Sequence, residues 1–133
     1  MKINRVTAVV QVKGDYRKCY EFYTKKVGLV PIYDDGIYTN FSNSKDGEPF
    51  FAMYCTHDLA KRMPGYIVSK STIPTDTLSA TFHTNDFEAD YKRMKEAGVE
   101  IERVDMSEGD MAFNMAIFRD PEGNMLSLED GGV

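Results

Sequence analysis

Residues 5 to 12 alternate between apolar and mixed positions, which is the period-two pattern of a strand with two different faces. The even positions are apolar, whereas Thr7, Val9 and Gln11 occupy odd positions. Asp15 follows soon afterwards and predicts the N-cap of a helix, because a short carboxylate in this place accepts a hydrogen bond from the first turn. These residues therefore predict a strand followed by a helix.

The predicted helix carries apolar residues at the spacing of one helical face and ends at Gly28, which suits the position after a helix. Short runs rich in Asp, Asn and Gly then separate three strand-like segments, at residues 29 to 34, 37 to 42 and 49 to 56. The first half of the chain therefore predicts the element order βαβββ.

The alternating pattern restarts in residues 77 to 83, where Ser79, Thr81 and His83 share one side. A helix with Asp86 as its N-cap is expected next. Three more strands complete the second half, near residues 99 to 105, 111 to 119 and 124 to 129.

The spacing of the two halves indicates an internal repeat. Asp15 and Asp86 are 71 positions apart, and Gly28 and Gly98, which end the two predicted helices, are 70 apart. Such a unit covers one face of its sheet with its own helix, so the other face must meet a partner. The sequence therefore predicts an α+β fold of two βαβββ modules that form a cupped mixed sheet with helices on the outer face.

We expect a single domain over residues 1 to 133, with modules at about 1–57 and 76–133 and a connector at 58–75. The groove between the sheets would be lined by residues that alternation places away from the helices. The predicted ligand-binding residues are Thr7, Val9, Gln11, Phe51, Met53, Ser79, Thr81, His83, Ser127 and Glu129, and Cys55 and Met125 share their predicted face.

A tight turn is expected at Asp120, because Pro121 and Gly123 suit the second and fourth positions of a type I turn. The Asp120 side chain is expected to accept a turn amide. The turn would join two strands as a hairpin with a bulge, and Ser127 and Glu129 alternate with leucines on the second strand.

Composition narrows the function classes. A net charge of −5, with 16 basic residues dispersed among 21 acidic ones, argues against a nucleic-acid surface. No apolar run approaches the roughly 18 residues that span a bilayer, and the first residues lack the apolar core of a signal peptide. Cys19 and Cys55 form no disulfide or zinc motif, so we expect a cytoplasmic protein. From the charge and the lack of an apolar run, we expect it to bind neither nucleic acid nor membrane.

Two segments carry a family resemblance. EFYTKKVGL at residues 21 to 29 closes the first helix, and FRDPEGNMLSLED at residues 118 to 130 contains the tight turn. Together with the repeat, they resemble the vicinal oxygen chelate superfamily, which includes glyoxalase I, extradiol dioxygenases, fosfomycin-modifying enzymes and bleomycin-resistance proteins. The resemblance implies paired βαβββ modules, a cupped cleft and a homodimer.

The resemblance also implies where a metal ion would be held, because metal-dependent members use His, Gln or Glu on the first and last strands of their modules. Those positions match Thr7, Ser79, Ser127 and a residue at or next to Met53. These side chains lack the imidazole and carboxylate groups that bind divalent ions. We therefore predict that the protein uses no metal ion and no other cofactor, and we assign a catalytic role to none of its residues.

Several side chains have two readings. Gln11, His83 and Glu129 share the predicted groove and offer a displaced divalent metal site. His83 alone is either a general base or a strand-end histidine bonded to backbone or solvent. Cys55 is either a reactive thiol or a small buried side chain. The aromatic side chains of Tyr33, Tyr38, Phe51 and Phe113 either form walls for a flat ligand or pack in the core between the sheets.

Three function hypotheses follow from these observations. The first is a metal-free protein that binds a small aromatic or cationic molecule, oriented by Gln11, Thr81, His83 and Glu129, and thereby sequesters an antibiotic or toxin. The second is a glyoxalase- or dioxygenase-like enzyme with the displaced metal site. The third is an interaction module whose cleft is filled by side chains.

Overall fold

A computed structural model describes residues 1–62, 78–106 and 113–131. The chain forms two compact units, unit 1 at Met1–Ile73 and unit 2 at Pro74–Val133, and each has a four-stranded mixed sheet of its own. Both units follow the order βαβββ, so the expected α+β fold of two such modules is confirmed. Residues 63 to 75 of the expected connector lie outside the described residues.

Unit 1 contains β1 (Ala8–Val12), α1 (Tyr16–Glu21), a π-helical segment (Phe22–Val27), β2 (Val30–Asp34), β3 (Tyr38–Ser42), β4 (Phe51–Cys55) and α2 (Thr56–Arg62). The strands are ordered β1-β4-β3-β2, with β1 parallel to β4 and the other neighbours antiparallel. The helix α2 begins directly at the end of β4 and extends into the first residues of the expected connector.

Both ends of the first helical segment are formed by the residues that the sequence indicates. The Asp15 carboxylate accepts a hydrogen bond of 3.0 Å from the amide of Lys18, as an N-cap does. Gly28 has a φ of 93°, a left-handed conformation that glycine adopts without a Cβ penalty, and its amide donates to the Tyr23 carbonyl. The expected cap and helix end are therefore confirmed.

The core of unit 1 is built around Tyr23, which is fully buried. Its ring centroid lies 4.9 Å from that of Phe51 and 5.8 Å from that of Phe41. Val10, Val12 and other buried apolar side chains complete the layer. The helical segment therefore covers the face of the sheet to which Phe41 and Phe51 belong.

A short hydrogen-bond chain fixes the start of α1 on the sheet. The Thr39 hydroxyl donates to the Asp34 carboxylate over 2.8 Å, so its oxygen accepts from the Tyr16 hydroxyl at 2.7 Å. Burial is the main cause that raises the pKa of Tyr16, so its hydroxyl stays protonated and can donate at neutral pH.

Replacement of Tyr16 by phenylalanine should lower the free energy of unfolding by about 1 kcal/mol, because one hydrogen bond is lost while the ring is kept. Urea denaturation followed by circular dichroism measures the change. A double-mutant cycle with Thr39→Val is the control, since the two changes should not add if the hydroxyls are bonded to each other. Additive losses would contradict the bond.

Unit 2 contains β5 (Leu78–His83), α3 (Phe87–Glu96), β6 (Ile101–Val104), β7 (Met115–Arg119) and β8 (Met125–Glu129). The strands are ordered β5-β8-β7-β6, and β5 is parallel to β8, so the topology repeats that of unit 1. The internal repeat is therefore confirmed. Of the strand expected at residues 111 to 119, residues 111 and 112 lie outside the described residues.

The helix of unit 2 also begins and ends as the sequence indicates. The Asp86 carboxylate accepts from the amide of Ala89 at 3.2 Å, and Gly98 has a φ of 91°. Phe87 and Met94 of α3 are buried, together with side chains from the sheet: Ile101, Ala116, Phe118, Leu126 and Leu128.

The turn between β7 and β8 is the expected one. The amide of Gly123 donates to the carbonyl of Asp120 at 2.9 Å, and Gly123 has a φ of 87°. The Asp120 carboxylate is buried and accepts from the amides of Glu122 and Asn124 and from the Asn124 side chain. The Asp120 side chain therefore organises the turn that precedes β8.

Within the parts of the chain that the structure describes, no helix is both long enough and apolar enough to cross a membrane.

Candidate functional site

Each sheet has one face that packs against its own helix and an opposite face, which we call the distal face. In unit 1 the parallel pairing of β1 with β4 matches Val9 with Ala52 and Gln11 with Tyr54. Paired residues point to the same side of a sheet. Val9 and Gln11 therefore lie on the distal face, as expected, and Val9 is 49% exposed.

Phe51 and Met53 lie on the other face. The register matches them with Ala8 and Val10, and both side chains are fully buried. The expectation that they share a face with Val9 and Gln11 is therefore wrong. Alternation shows which residues of one strand share a face. It does not show which residues of the neighbouring strand lie on that same face, because a shift of one residue in the pairing of the two strands exchanges the faces.

Of two more expected residues, one lies off the distal face and the other lies outside the strand ladder. Cys55 pairs with Val12, so it too belongs to the helix-covered side, and neither Cys55 nor Cys19 is in a disulfide. Thr7 precedes the first residue of β1 and is half-buried. Among the aromatic candidates, Phe51 is core, whereas Tyr33 and Tyr38 are on the distal face.

Three tyrosines cross the distal face of unit 1 on neighbouring strands, and we call them the tyrosine row: Tyr54 on β4, Tyr38 on β3 and Tyr33 on β2. The centroids of Tyr38 and Tyr54 are 5.5 Å apart with an interplanar angle of 70°. Those of Tyr33 and Tyr38 are 6.4 Å apart at 44°. Gln11 pairs with Tyr54 and extends the row to β1.

A β-bulge places Tyr33 in this row. Val30 pairs with Ser42 on the distal side, and simple alternation would then send Tyr33 to the helix-covered side. The register shifts between Pro31 and Tyr33, so that Tyr33 pairs with Asn40 instead. A bulge adds one residue to a strand and reverses the alternation after it.

Carboxylates stand at both ends of the tyrosine row. The Tyr33 hydroxyl donates to Asp35 at 3.1 Å, and the Tyr54 hydroxyl donates to Asp58 at 3.1 Å. Backbone amides of Tyr38 and Ile37 donate to Asp35 and lower its pKa, so this carboxylate is ionised at neutral pH.

The phenols of Tyr33 and Tyr54 remain neutral at neutral pH, because the pKa of each is raised. The hydrogen bond to Asp35 is the first cause that raises the pKa of Tyr33. Desolvation, followed by the hydrogen bond to Asp58, raises the pKa of Tyr54. At the Tyr54 end, the Arg62 guanidinium lies 2.7 Å from Asp58 and pairs with it.

The distal face of unit 2 carries a polar cluster, which we define as Thr81, His83, Ser127 and Glu129. Parallel pairing of β5 with β8 sets Thr81 beside Ser127 and His83 beside Glu129. The Ser127 hydroxyl donates to the Thr81 hydroxyl at 2.9 Å, and His83 Nδ1 is 3.6 Å from a Glu129 carboxylate oxygen. Four residues expected from the sequence are therefore brought together.

Ser79 does not join this cluster. The pairing with β8 shifts between Leu78 and Ala80, so Ser79 has no partner of its own in the ladder. The irregularity separates it from the alternation that Thr81 and His83 follow.

The donor atoms do not fit the metal site that the family resemblance implies. Ser127 is fully buried with its hydroxyl directed to Thr81, and Met53 is in the core. Among the described residues no group of three or more His, Cys, Asp or Glu side chains could hold a metal ion. His83 and Glu129 together supply two donors, and Gln11 belongs to the other unit.

Two members of the candidate site were absent from the sequence-based set. Asp35 was read as part of a turn, and Tyr54 was read only as part of a strand. The signal for both is the position of a carboxylate two or four residues from a tyrosine, which allows a side-chain hydrogen bond at a strand end.

Comparison with known proteins gives a consistent picture. The family model described as Glyoxalase/Bleomycin resistance protein/Dioxygenase superfamily matches residues 2–128. No curated protein matches the chain in sequence.

Solved structures share the fold at low sequence identity. A protein of unknown function from Agrobacterium tumefaciens str. C58 is 16% identical over 99% of this chain and 97% of its own, with a TM-score of 0.73. TnmS3, an antibiotic binding protein from Streptomyces sp. CB03234, is 23% identical over 99% of both chains, with a TM-score of 0.63. A mutant of the fosfomycin resistance protein FosX from Listeria monocytogenes, complexed with Mn(II) and a dihydroxypropylphosphonic acid, is 16% identical over 100% of this chain and 94% of its own, with a TM-score of 0.65.

Proposed function

Because the chain belongs to the Glyoxalase/Bleomycin resistance protein/Dioxygenase superfamily, we propose that it binds a small organic molecule on the distal faces of its sheets without a metal ion. The observation that carries the proposal is the chemistry of these faces, where aromatic rings and hydrogen-bonding groups replace core-like apolar residues. Ligand sites combine apolar and aromatic walls with a few placed polar groups. The distal face of unit 1 carries aromatic walls in the tyrosine row, and the distal face of unit 2 carries placed polar groups in the polar cluster.

The polar cluster offers groups of different hydrogen-bonding character. The carboxylate of Glu129 is an acceptor, the imidazole of His83 is a donor or an acceptor, and the Thr81 hydroxyl is both. The His83 side chain is 59% exposed, so it can meet a ligand, while the Glu129 side chain is 17% exposed and its carboxylate lies 3.6 Å from Nδ1 of the imidazole. We assign these residues as ligand contacts on the distal face of unit 2, and Gln11 and Val9 as ligand contacts on the distal face of unit 1.

Relatives support the ligand class. TnmS3 is an antibiotic binding protein, and FosX is a fosfomycin resistance protein. Sequestration of an antibiotic or toxin fits a site that has affinity but no nucleophile-base pair among the described distal residues. We further propose a homodimer, which the family resemblance implies, and a cytoplasmic location, which fits two cysteines that form no disulfide.

A second candidate function is a glyoxalase- or dioxygenase-like enzyme with a displaced divalent site at Gln11, His83 and Glu129. The observation in its favour is the approach of His83 Nδ1 to Glu129 at 3.6 Å. Against it, only two of these three residues, His83 and Glu129, belong to one unit, whereas catalytic zinc sites generally use three protein ligands.

Thermal denaturation of EDTA-treated protein with soluble aromatic compounds and antibiotics tests the first function. We expect at least one compound to raise Tm, because a ligand at 100 times its Kd stabilises the folded state by about 2.7 kcal/mol. The rise should shrink in His83→Ala and persist in the matched surface variant Lys92→Ala, which replaces an exposed residue of α3.

Two results would count against this function. If no compound raises Tm, binding by the distal faces loses its support. If untreated protein carries a stoichiometric divalent ion that is lost in a His83→Ala, Glu129→Ala double variant, the second candidate is correct.

A further inference from the structure

We propose that the tyrosine row of unit 1 binds the positively charged head of an organic cation of the ammonium class, with Asp35 as its counter-ion. This inference rests on the proposed function and specifies the chemistry of the ligand. Its basis is the arrangement of Tyr33, Tyr38, Tyr54 and Asp35.

The row is not required to fill the core of unit 1. Tyr23, Phe41 and Phe51 form the packed aromatic layer on the helix-covered side. The tyrosine row lies on the opposite side, where Tyr33 is 52% exposed. A single exposed aromatic residue is ordinary, but here two half-buried rings, Tyr38 and Tyr54, lie beside Tyr33 on adjacent strands and enlarge the aromatic surface.

The angles between the rings suit a rounded cation better than a flat ligand. Tyr38 and Tyr54 are inclined at 70° and Tyr33 and Tyr38 at 44°, so neither neighbouring pair of rings is parallel. A planar molecule stacks on parallel walls, whereas an ammonium group is attracted to the face of each ring it meets. The row therefore favours a compact positive head.

Hydrogen bonds to carboxylates strengthen this attraction. The hydroxyls of Tyr33 and Tyr54 donate to Asp35 and Asp58. A phenol that donates to an anion is polarised towards its ring, in the same way that linked hydrogen bonds polarise one another. Its face then carries more negative potential, which is the source of cation–π binding.

Asp35 also supplies a fixed negative charge beside Tyr33 and Tyr38. It accepts from the Tyr33 hydroxyl and from the amides of Ile37 and Tyr38. Among the described residues, no Lys or Arg forms an ion pair with Asp35. The charge is therefore held in position by neutral donors, and Arg62 acts on it by a Coulombic interaction without forming an ion pair.

At the Tyr54 end of the row, the carboxylate already has a cationic partner. Asp58 accepts from Tyr54 and is paired with Arg62. A tyrosine, a carboxylate and a cation thus meet at this end, whereas the described residues at the Tyr33 end supply only the first two. An anionic ligand would meet repulsion from Asp35.

Titration with choline, compared with its neutral carbon isostere 3,3-dimethylbutan-1-ol, tests the proposal. The two compounds have nearly the same shape, so a difference between them reports charge. Proton NMR of the full chain should show choline binding in the millimolar range, with the methyl signals shifted upfield by the rings. The isostere should bind roughly tenfold more weakly.

Variants assign the binding to the row. Tyr38→Leu should weaken choline binding by about tenfold, while Tyr38→Phe keeps the ring and should bind nearly as the natural protein does. Asp35→Asn should weaken it about threefold or more, because the amide oxygen still accepts from the turn amides but the charge is lost. Lys92→Ala on α3 is the matched control and should leave it unchanged.

Equal binding of choline and the isostere, or undiminished binding by folded Tyr38→Leu, would overturn the inference. Absence of choline binding would overturn it as well. If neutral aromatic compounds still raise Tm in that case, the proposed function stands and only the cation assignment falls. If nothing raises Tm, both fall together.

Discussion

Replacement of Phe51 by alanine should lower the free energy of unfolding by about 3 to 5 kcal/mol. The side chain is fully buried, and its ring lies 4.9 Å from Tyr23 and 6.1 Å from Phe41. Removal of the ring leaves a cavity that these rigid neighbours cannot fill. Urea denaturation followed by circular dichroism measures the loss.

Val9→Ala is the matched control, because both residues were expected on one groove face from the sequence. Val9 is 49% exposed on the distal face, so its loss should change the free energy of unfolding by no more than about 0.5 kcal/mol. Similar losses in the two variants would show that β1 and β4 pair in a different register. A large loss in Phe51→Ala alone supports the register with Met53 beside Val10.

Local features of the fold could be predicted because their causes are local. Asp15 and Asp86 cap helices because a carboxylate reaches an amide three residues ahead. Gly28 and Gly98 end helical segments because they adopt positive φ. These interactions depend on a few neighbouring residues, so the order βαβββ and its repetition follow from sequence alone.

The faces of the strands could be predicted only where alternation continues without interruption. Thr81, His83 and Glu129 meet as expected, because the pairing of β5 with β8 is regular over those residues. Ser79 and Tyr33 lie beside register shifts. Such shifts depend on how two strands meet, and no periodicity within one strand reveals them.

The candidate site also contains residues that the sequence alone predicts and residues that depend on how the strands pair. His83 and Glu129 could be named from the sequence because both belong to the alternating set. The tyrosine row depends on the pairing of Tyr38 with Tyr54 and on the bulge before Tyr33. These are long-range facts of sheet assembly, which explains why Tyr54 and Asp35 were missed.

Replacement of Asp120 by alanine should lower the free energy of unfolding by about 2 to 4 kcal/mol, because each unsatisfied buried donor costs about 1 to 3 kcal/mol. Asp120 is 5% exposed, and its carboxylate accepts hydrogen bonds from the backbone amides of Glu122 and Asn124 and from the Asn124 side chain. Alanine leaves these donors without the carboxylate. Water that reaches the turn can bond to some of these donors, so the loss in the free energy of unfolding should be smaller than the sum of their separate costs. Urea denaturation measures this loss.

Asp120→Asn is the control for charge. Its side-chain oxygen can still accept from the two amides, whereas its amide group faces the Asn124 amide and loses that bond. Its loss should therefore be smaller than that of Asp120→Ala. The turn sets the start of β8, so Asp120→Ala should also disturb the approach of Glu129 to His83. Unchanged stability in Asp120→Ala would mean that Pro121 and Gly123 form the turn without the carboxylate.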